Sequence, residues 1–231
     1  MFNKIKQSRM SNYVNCWRVK LGNSFYAILP AHCAIYKPKN KGWVRSNFLN
    51  MCRTDLNLQW HVSINWDSSN GSIENDLAWA KLDKSDYYFS VGTNMLNNEQ
   101  NNEQNNEPID VQFFFNQPYD YKGKLLKTAS FGKVNGVAYA SPNSEMLEAL
   151  NIGFKGMSGA IAVNNNNDLI GMFVRRGVSL GVGDQTTVDP TIQVTEQLAP
   201  QSMTLSRGMI IPSNVIAKLI NSPSVSIKDL C

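Results

Sequence analysis

The chain has 231 residues, 42% of them apolar and 17% charged, with a formal net charge of +4. That length suits one or two domains with a sizeable core. No Lys/Arg run with interleaved aromatics marks a nucleic-acid surface, no apolar stretch nears the roughly 18 residues of a membrane span, and no apolar signal core follows Met1, so an intracellular, membrane-free protein is expected.

The N-terminus carries Lys4, Lys6 and Arg9. It reads as a solvated tail, with weak RNA contact as the alternative. The run from Phe25 to Ile35 is apolar and aromatic, and it predicts a buried strand ending at His32. A general base needs a pKa near working pH and a rigid mount; imidazole has the first and a strand end supplies the second. The chain has only two histidines. The other, His61, lies in an alternating stretch from Leu58 to Ile64 that reads as a surface strand. Further on, Ile73-Glu74-Asn75-Asp76 opens a strand through Leu82, so Asp76 sits at a strand entrance. A carboxylate there can accept the Nδ1 proton of His32 and fix its tautomer.

The stretch Met95 to Pro108 holds an Asn-Asn-Glu-Gln repeat and nothing that packs a core, which predicts a loop. With the Asn run at 164–167, it hints at an AT-rich genome such as that of a virus or a protist. Gly153 to Ala160 contains Gly156-Met157-Ser158-Gly159-Ala160 ahead of the apolar Ile161-Ala162-Val163. Glycines around a serine permit a tight turn that leaves the hydroxyl open. The same turn can aim the backbone N–H groups of Gly156 and Ser158 at one point, as an oxyanion hole requires. A hairpin through the 164–168 turn into Leu169–Val174 follows. The segment Val178 to Ser206 is rich in Thr, Gln and Gly and reads as a loop. Ser213 to Ile220 is the one persuasive helix, with Ser213 a candidate N-cap and Val215, Ile216, Leu219 and Ile220 on one face. Elsewhere short strand-like runs between turns predict an all-β chain.

Each block alone has a plainer reading: a core histidine, a turn aspartate, a glycine-rich hairpin. Together, Ala31-His32-Cys33, Asn75-Asp76-Leu77-Ala78-Trp79-Ala80-Lys81-Leu82 and Gly156-Met157-Ser158-Gly159-Ala160 resemble the three signature blocks of trypsin/chymotrypsin-like serine peptidases. Arg207 to Ile216 is similar to the end of the protease domain in HtrA-type and related peptidases, where a last strand runs through Ile-Pro-Ser-Asn into a helix. The resemblance spans residues 12 to 221 or so. It implies a chymotrypsin-like double β-barrel with a short C-terminal helix. The division would place an N-terminal barrel at 1–96, a linker at 97–108, and a C-terminal barrel with the terminal helix at 109–231. It further implies a triad of His32 as base, Asp76 as orienting acid and Ser158 as nucleophile, acting on polypeptide substrates without a cofactor or metal.

Departures from the family's pattern narrow the expectation. Met157 stands where trypsin-like enzymes have the Asp that pairs with a newly cut N-terminus, so activation by that ion pair is not expected. Viral 3C-like cysteine proteases have Cys at the nucleophile position and often His on the strand behind; this chain has Ser158 and Phe173. By resemblance, the substrate pocket draws on Ile152, Phe154 and Lys155 before the nucleophile and on Phe173, Val174 and Arg175 of the strand after it. With no acidic residue at its floor, an apolar or acidic side chain is preferred over a basic one. Cys16 and Cys33 fall where the family often has a bridge, but without a signal peptide free thiols are expected. Cys52 and Cys231 have no evident partner. The alternative to an active endopeptidase, in a virus or elsewhere, is a protease-fold binding or structural protein that has lost activity.

Overall fold

Two-residue periodicity sorts this chain into faces. A computed structural model describes residues 15–37, 42–45, 58–67, 73–91, 108–119, 125–141, 145–149, 157–166, 168–176 and 208–231. Among them are fourteen strands and three short helices. β1 (Trp17–Leu21) turns at Gly22–Asn23 into β2 (Ser24–Leu29). Gly22, at φ +58°, takes the left-handed conformation that a two-residue hairpin needs. The short β3 (Ile35–Tyr36) and β4 (Val44–Arg45) pair with each other. β5 (Trp60–Ser63), β6 (Ala78–Leu82) and β7 (Phe89–Ser90) join the first hairpin. The resulting sheet is completed by a strand from the far end of the chain, β14 (Ser224–Ser226), giving the order β14-β5-β6-β2-β1-β7.

The second unit is a closed barrel. Its strands are β8 (Ile109–Tyr119), β9 (Leu125–Ala140), β10 (Leu147–Ala149), β11 (Ile161–Val163), β12 (Leu169–Arg176) and β13 (Gly208–Pro212), in the order β10-β13-β12-β11-β8-β9. Closure leaves no unpaired edge. A closed barrel beside a six-stranded sheet, with few helices, is the all-β arrangement expected of a chymotrypsin-like double barrel; the first sheet is open between β14 and β7 among the described residues.

Strand alternation divides the apolar residues among three cores. Phe113, Phe115, Met157, Ala160, Ala162, Phe173 and Ile210 fill the barrel interior. Ala27, Leu29, Trp60, Val62, Ala78 and Ala80 cover one face of the first sheet. The residues between them in sequence, Ile28 and Trp79, turn to the opposite face and meet Ile161, Val163, Met172 and Val174 from the outside of the barrel. This shared cluster joins the two units.

Several elements differ from the sequence expectation. β2 stops at Leu29 instead of His32, because Pro30 lacks an N–H and its fixed φ of −63° starts a one-turn helix, α1 (Ala31–Ala34). The terminal helix α2 (Ser213–Ile220) appears where expected, with Val215, Ile216, Leu219 and Ile220 buried, but Pro212 is its N-cap and Ser213 its first helical residue. Ser213 is instead buried, at 1% exposure. β14 and a final turn of helix, α3 (Ile227–Leu230), have no periodic signal. β14 pairs with β5, so the expected second unit at 109–231 lends its last strand to the first sheet. The Asn-Asn-Glu-Gln repeat, the 97–108 linker up to Glu107 and the 178–206 loop lie outside the described residues.

Trp79 is the largest buried side chain that the first sheet contributes to the shared cluster. Trp79→Ala should lower the free energy of unfolding by about 3–5 kcal/mol, as for other buried aromatic truncations. Denaturant titration checks this, and a loss below about 1 kcal/mol would show that the cluster does not carry the join.

Candidate active site

Pro30 brings β2 to an end and sets the next residues into α1. Ala31 and Ala34 are fully buried and anchor that turn in the first sheet's core. His32 projects from it, its side chain 37% exposed. The Asp76 turn is held by Asp76 N–H donating to the Ile73 carbonyl (3.1 Å) and Leu77 N–H to the Asn75 carbonyl (2.8 Å). Leu77 and Ala78, with no exposed surface, pull this turn against the sheet and take the Asp76 carboxylate with them.

Both carboxylate oxygens of Asp76 go to one residue. Oδ1 accepts from the His32 backbone N–H at 2.9 Å, and Oδ2 lies 2.7 Å from His32 Nδ1. A carboxylate only accepts, so Nδ1 carries the hydrogen and Nε2 is the open end of the ring. Nε2 lies 3.3 Å from Ser158 Oγ. The three side chains expected from the sequence to act together are thus in contact, with the imidazole in the middle.

Ser158 stands on a turn with two anchors. On the barrel side, Met157 is fully buried. Gly159 N–H donates to the Phe173 carbonyl and Phe173 N–H to the Ala160 carbonyl, each at 2.7 Å, while Ala160 N–H closes the turn on the Met157 carbonyl at 2.8 Å. On the other side the turn meets the first sheet. Asn15 Nδ2 donates to the Ser158 carbonyl at 3.0 Å. Gly159 has φ +85°, and a side chain there would overlap the Asn15 carbonyl oxygen and crowd Pro30 Cδ at 3.0 Å. Glycine is therefore required for both conformation and space.

The electrostatics favour a charged ring. Partial burial pulls the His32 pKa down. Hydrogen bonds to Asp76 and then to the Cys33 side chain, with the charge of the neighbouring carboxylate, outweigh it, and the pKa is pushed up to about 10.

Other expected site residues fall elsewhere. Phe173 and Val174, expected on the pocket wall, are 2% and 0% exposed. Their side chains alternate across β12, Phe173 into the barrel interior and Val174 into the shared cluster, so neither offers a free surface to a substrate. Arg175 is half-buried, while Ile152, Phe154, Lys155 and Gly156 lie outside the described residues. Met157, read as a departure from the trypsin pattern, is a barrel core residue. His61 is remote from these groups in its contacts: it stacks on Trp79 and lies 3.4 Å from Ser224 Oγ. Cys16 and Cys33 are thiols, packed against the first sheet's core. Among the described residues no three His, Cys, Asp or Glu side chains group as a metal site. No helix among them is long and apolar enough to cross a membrane. Sequence reasoning missed Asn15, which carries no local signal because its partner is 143 residues away.

No protein-family model and no curated protein matches the chain. Among solved structures, the apo form of the MamO protease domain from Magnetospirillum magneticum resembles it at 13% identity, covering 91% of this chain and 97% of that one, with a TM-score of 0.38. That overlap is slight.

His32 also makes a pH-dependent contribution to stability. A folded pKa of about 10, above the ordinary 6.5, means that the contribution is fully present below pH 6.5 and is lost as pH rises from there through about 10. Denaturant titrations across that range should show the native protein losing more stability than His32→Ala. Parallel losses in the two proteins would contradict the assignment.

Proposed function

We propose that the protein is a serine endopeptidase in which Ser158 is the nucleophile, His32 the general base and Asp76 the orienting acid. The observation that supports this best is the bridging imidazole, 2.7 Å from the Asp76 carboxylate on one side and 3.3 Å from the Ser158 hydroxyl on the other. As Ser158 Oγ attacks a peptide carbonyl, its proton passes to Nε2. Asp76 stabilises the imidazolium that forms and keeps Nδ1 protonated. The tetrahedral oxyanion would be held by the backbone N–H groups of Gly156 and Ser158. The imidazolium then gives its proton to the leaving amine, the C–N bond breaks, and an acyl-enzyme remains on Ser158. Water activated by the neutral imidazole hydrolyses that ester and restores the hydroxyl. A viral source for such an enzyme rests on the Asn-rich composition alone.

One observation favours a second reading, a protease fold used for binding. With its pKa raised, the His32 ring favours its charged form, which opposes its accepting the serine proton at neutral pH. The two readings separate on a pH–rate profile with a peptide-library substrate. The endopeptidase reading expects kcat/KM to climb with pH, with a midpoint well above 6.5, because only the neutral imidazole is a base. Absence of hydrolysis across the whole range supports the binding reading.

Two substitutions check the roles. Ser158→Ala should lower kcat on the order of 10⁶-fold, with the unfolding midpoint unchanged. Asp76→Asn should lower it by about 10⁴-fold, because the amide favours the wrong imidazole tautomer. A loss below about tenfold in the latter would assign the orienting role to another group.

A further inference from the structure

We infer that Asn15 is a positioning residue for the Ser158 hydroxyl, a role that rests on the peptidase reading above. Asn15 precedes β1 and is 1% exposed. A buried amide is costly unless its hydrogen bonds are made. This one sends Nδ2 to the carbonyl of Ser158 itself, at 3.0 Å. The Asn15 main chain makes the adjoining contact: its carbonyl oxygen fills the space that a side chain on Gly159 would take, and its Cβ lies 3.1 Å from that point. One residue therefore holds both the nucleophile and the glycine after it.

The geometry gives this contact a task that the barrel cannot perform. Met157 and the hydrogen bonds to Phe173 fix the nucleophile turn relative to the barrel. They say nothing of where His32 is, because His32 and Asp76 ride on the first sheet. Asn15 leads into β1 of that sheet, and Pro30, the second residue touching Gly159, is the residue from which α1 starts. Asn15 thus references Ser158 to the element that carries the base. The Oγ to Nε2 separation of 3.3 Å is already long for a hydroxyl hydrogen bond. A misplacement on the order of 1 Å can cost about 10²-fold in rate. The amide is also chemically specific: an apolar residue would leave the Ser158 carbonyl without its donor, and a carboxylate would face it with another acceptor.

The test compares native protein with Asn15→Ala and with the near-isosteric Asn15→Leu, which keeps the volume, loses the donor and adds no charge. Peptide hydrolysis, its pH midpoint, the thermal midpoint and amide hydrogen exchange are measured on each. Positioning predicts that kcat falls roughly 10- to 100-fold while KM changes less than about twofold. The pH midpoint should stay in place because the His32–Asp76 pair is untouched. Exchange should quicken at residues 158–160 and not across the chain. Unchanged kcat in both variants overturns the inference. So does a fall in kcat that tracks a general loss of thermal stability with exchange quickened throughout, since that marks a merely structural residue. If native protein hydrolyses no peptide, the peptidase reading fails, and the exchange pattern alone decides whether Asn15 tethers the turn.

Discussion

The close approach of Gly159 to Asn15 and Pro30 is the constraint on which the site depends. His32 and Asp76 belong to one sheet and Ser158 to a barrel. Their side chains meet only if a backbone turn from the barrel can be pressed against the residue from which α1 begins. A side chain at position 159 would overlap the Asn15 carbonyl oxygen, and φ of +85° excludes most residues on conformational grounds alone. The distance from His32 to Ser158 follows from that contact.

Behind it, the shared apolar cluster supplies the area that a single glycine contact cannot. β2 and β6 each send alternate residues to opposite faces, so Ile28 and Trp79 reach the barrel while their neighbours Ala27, Leu29, Ala78 and Ala80 build the first sheet's own core. β11 and β12 do the same from the barrel side. The last strand, β14, crosses back to pair with β5, a second covalent route between the halves. With the two units joined on this scale, the turn at 157–160 is presented to the first sheet by paired strands, the kind of support that holds side chains in register.

Much of the fold and the central groups of the site were legible in the sequence because local chemistry marked them. Asp76 precedes a strand of alternating small and aromatic residues, and Ser158 lies between glycines ahead of an apolar strand. What was misread depended on atoms far along the chain or on a single backbone feature. Pro30 turned a predicted strand into the helix that carries His32. Phe173 and Val174 looked like wall residues, but both faces of β12 are covered, one by the barrel interior and one by the other unit, so an apolar pair there has nowhere to be but inside. Ser213 looked like a cap, yet Pro212 takes that position and Ser213 is a buried first helical residue. Asn15 gave no signal at all, since one asparagine ahead of a strand is ordinary until its partner is known. α3 is too short to show periodicity, and β14 is three residues long.

The electrostatic balance sets the working form of the site. Asp76 gives both its oxygens to His32, which fixes the ring and also favours its charged form. That arrangement suits an imidazolium in a transition state better than a neutral base at rest. The most direct measurement of the central claim, an activated serine assembled across the two units, is labelling with a fluorophosphonate probe at alkaline pH, with the adduct mapped by mass spectrometry. The native protein should carry one adduct on Ser158, His32→Ala should carry none, and Gly159→Ala should label far more slowly because the turn can no longer seat against Asn15 and Pro30. A native protein that stays unlabelled, or an adduct on a different serine, would contradict the account.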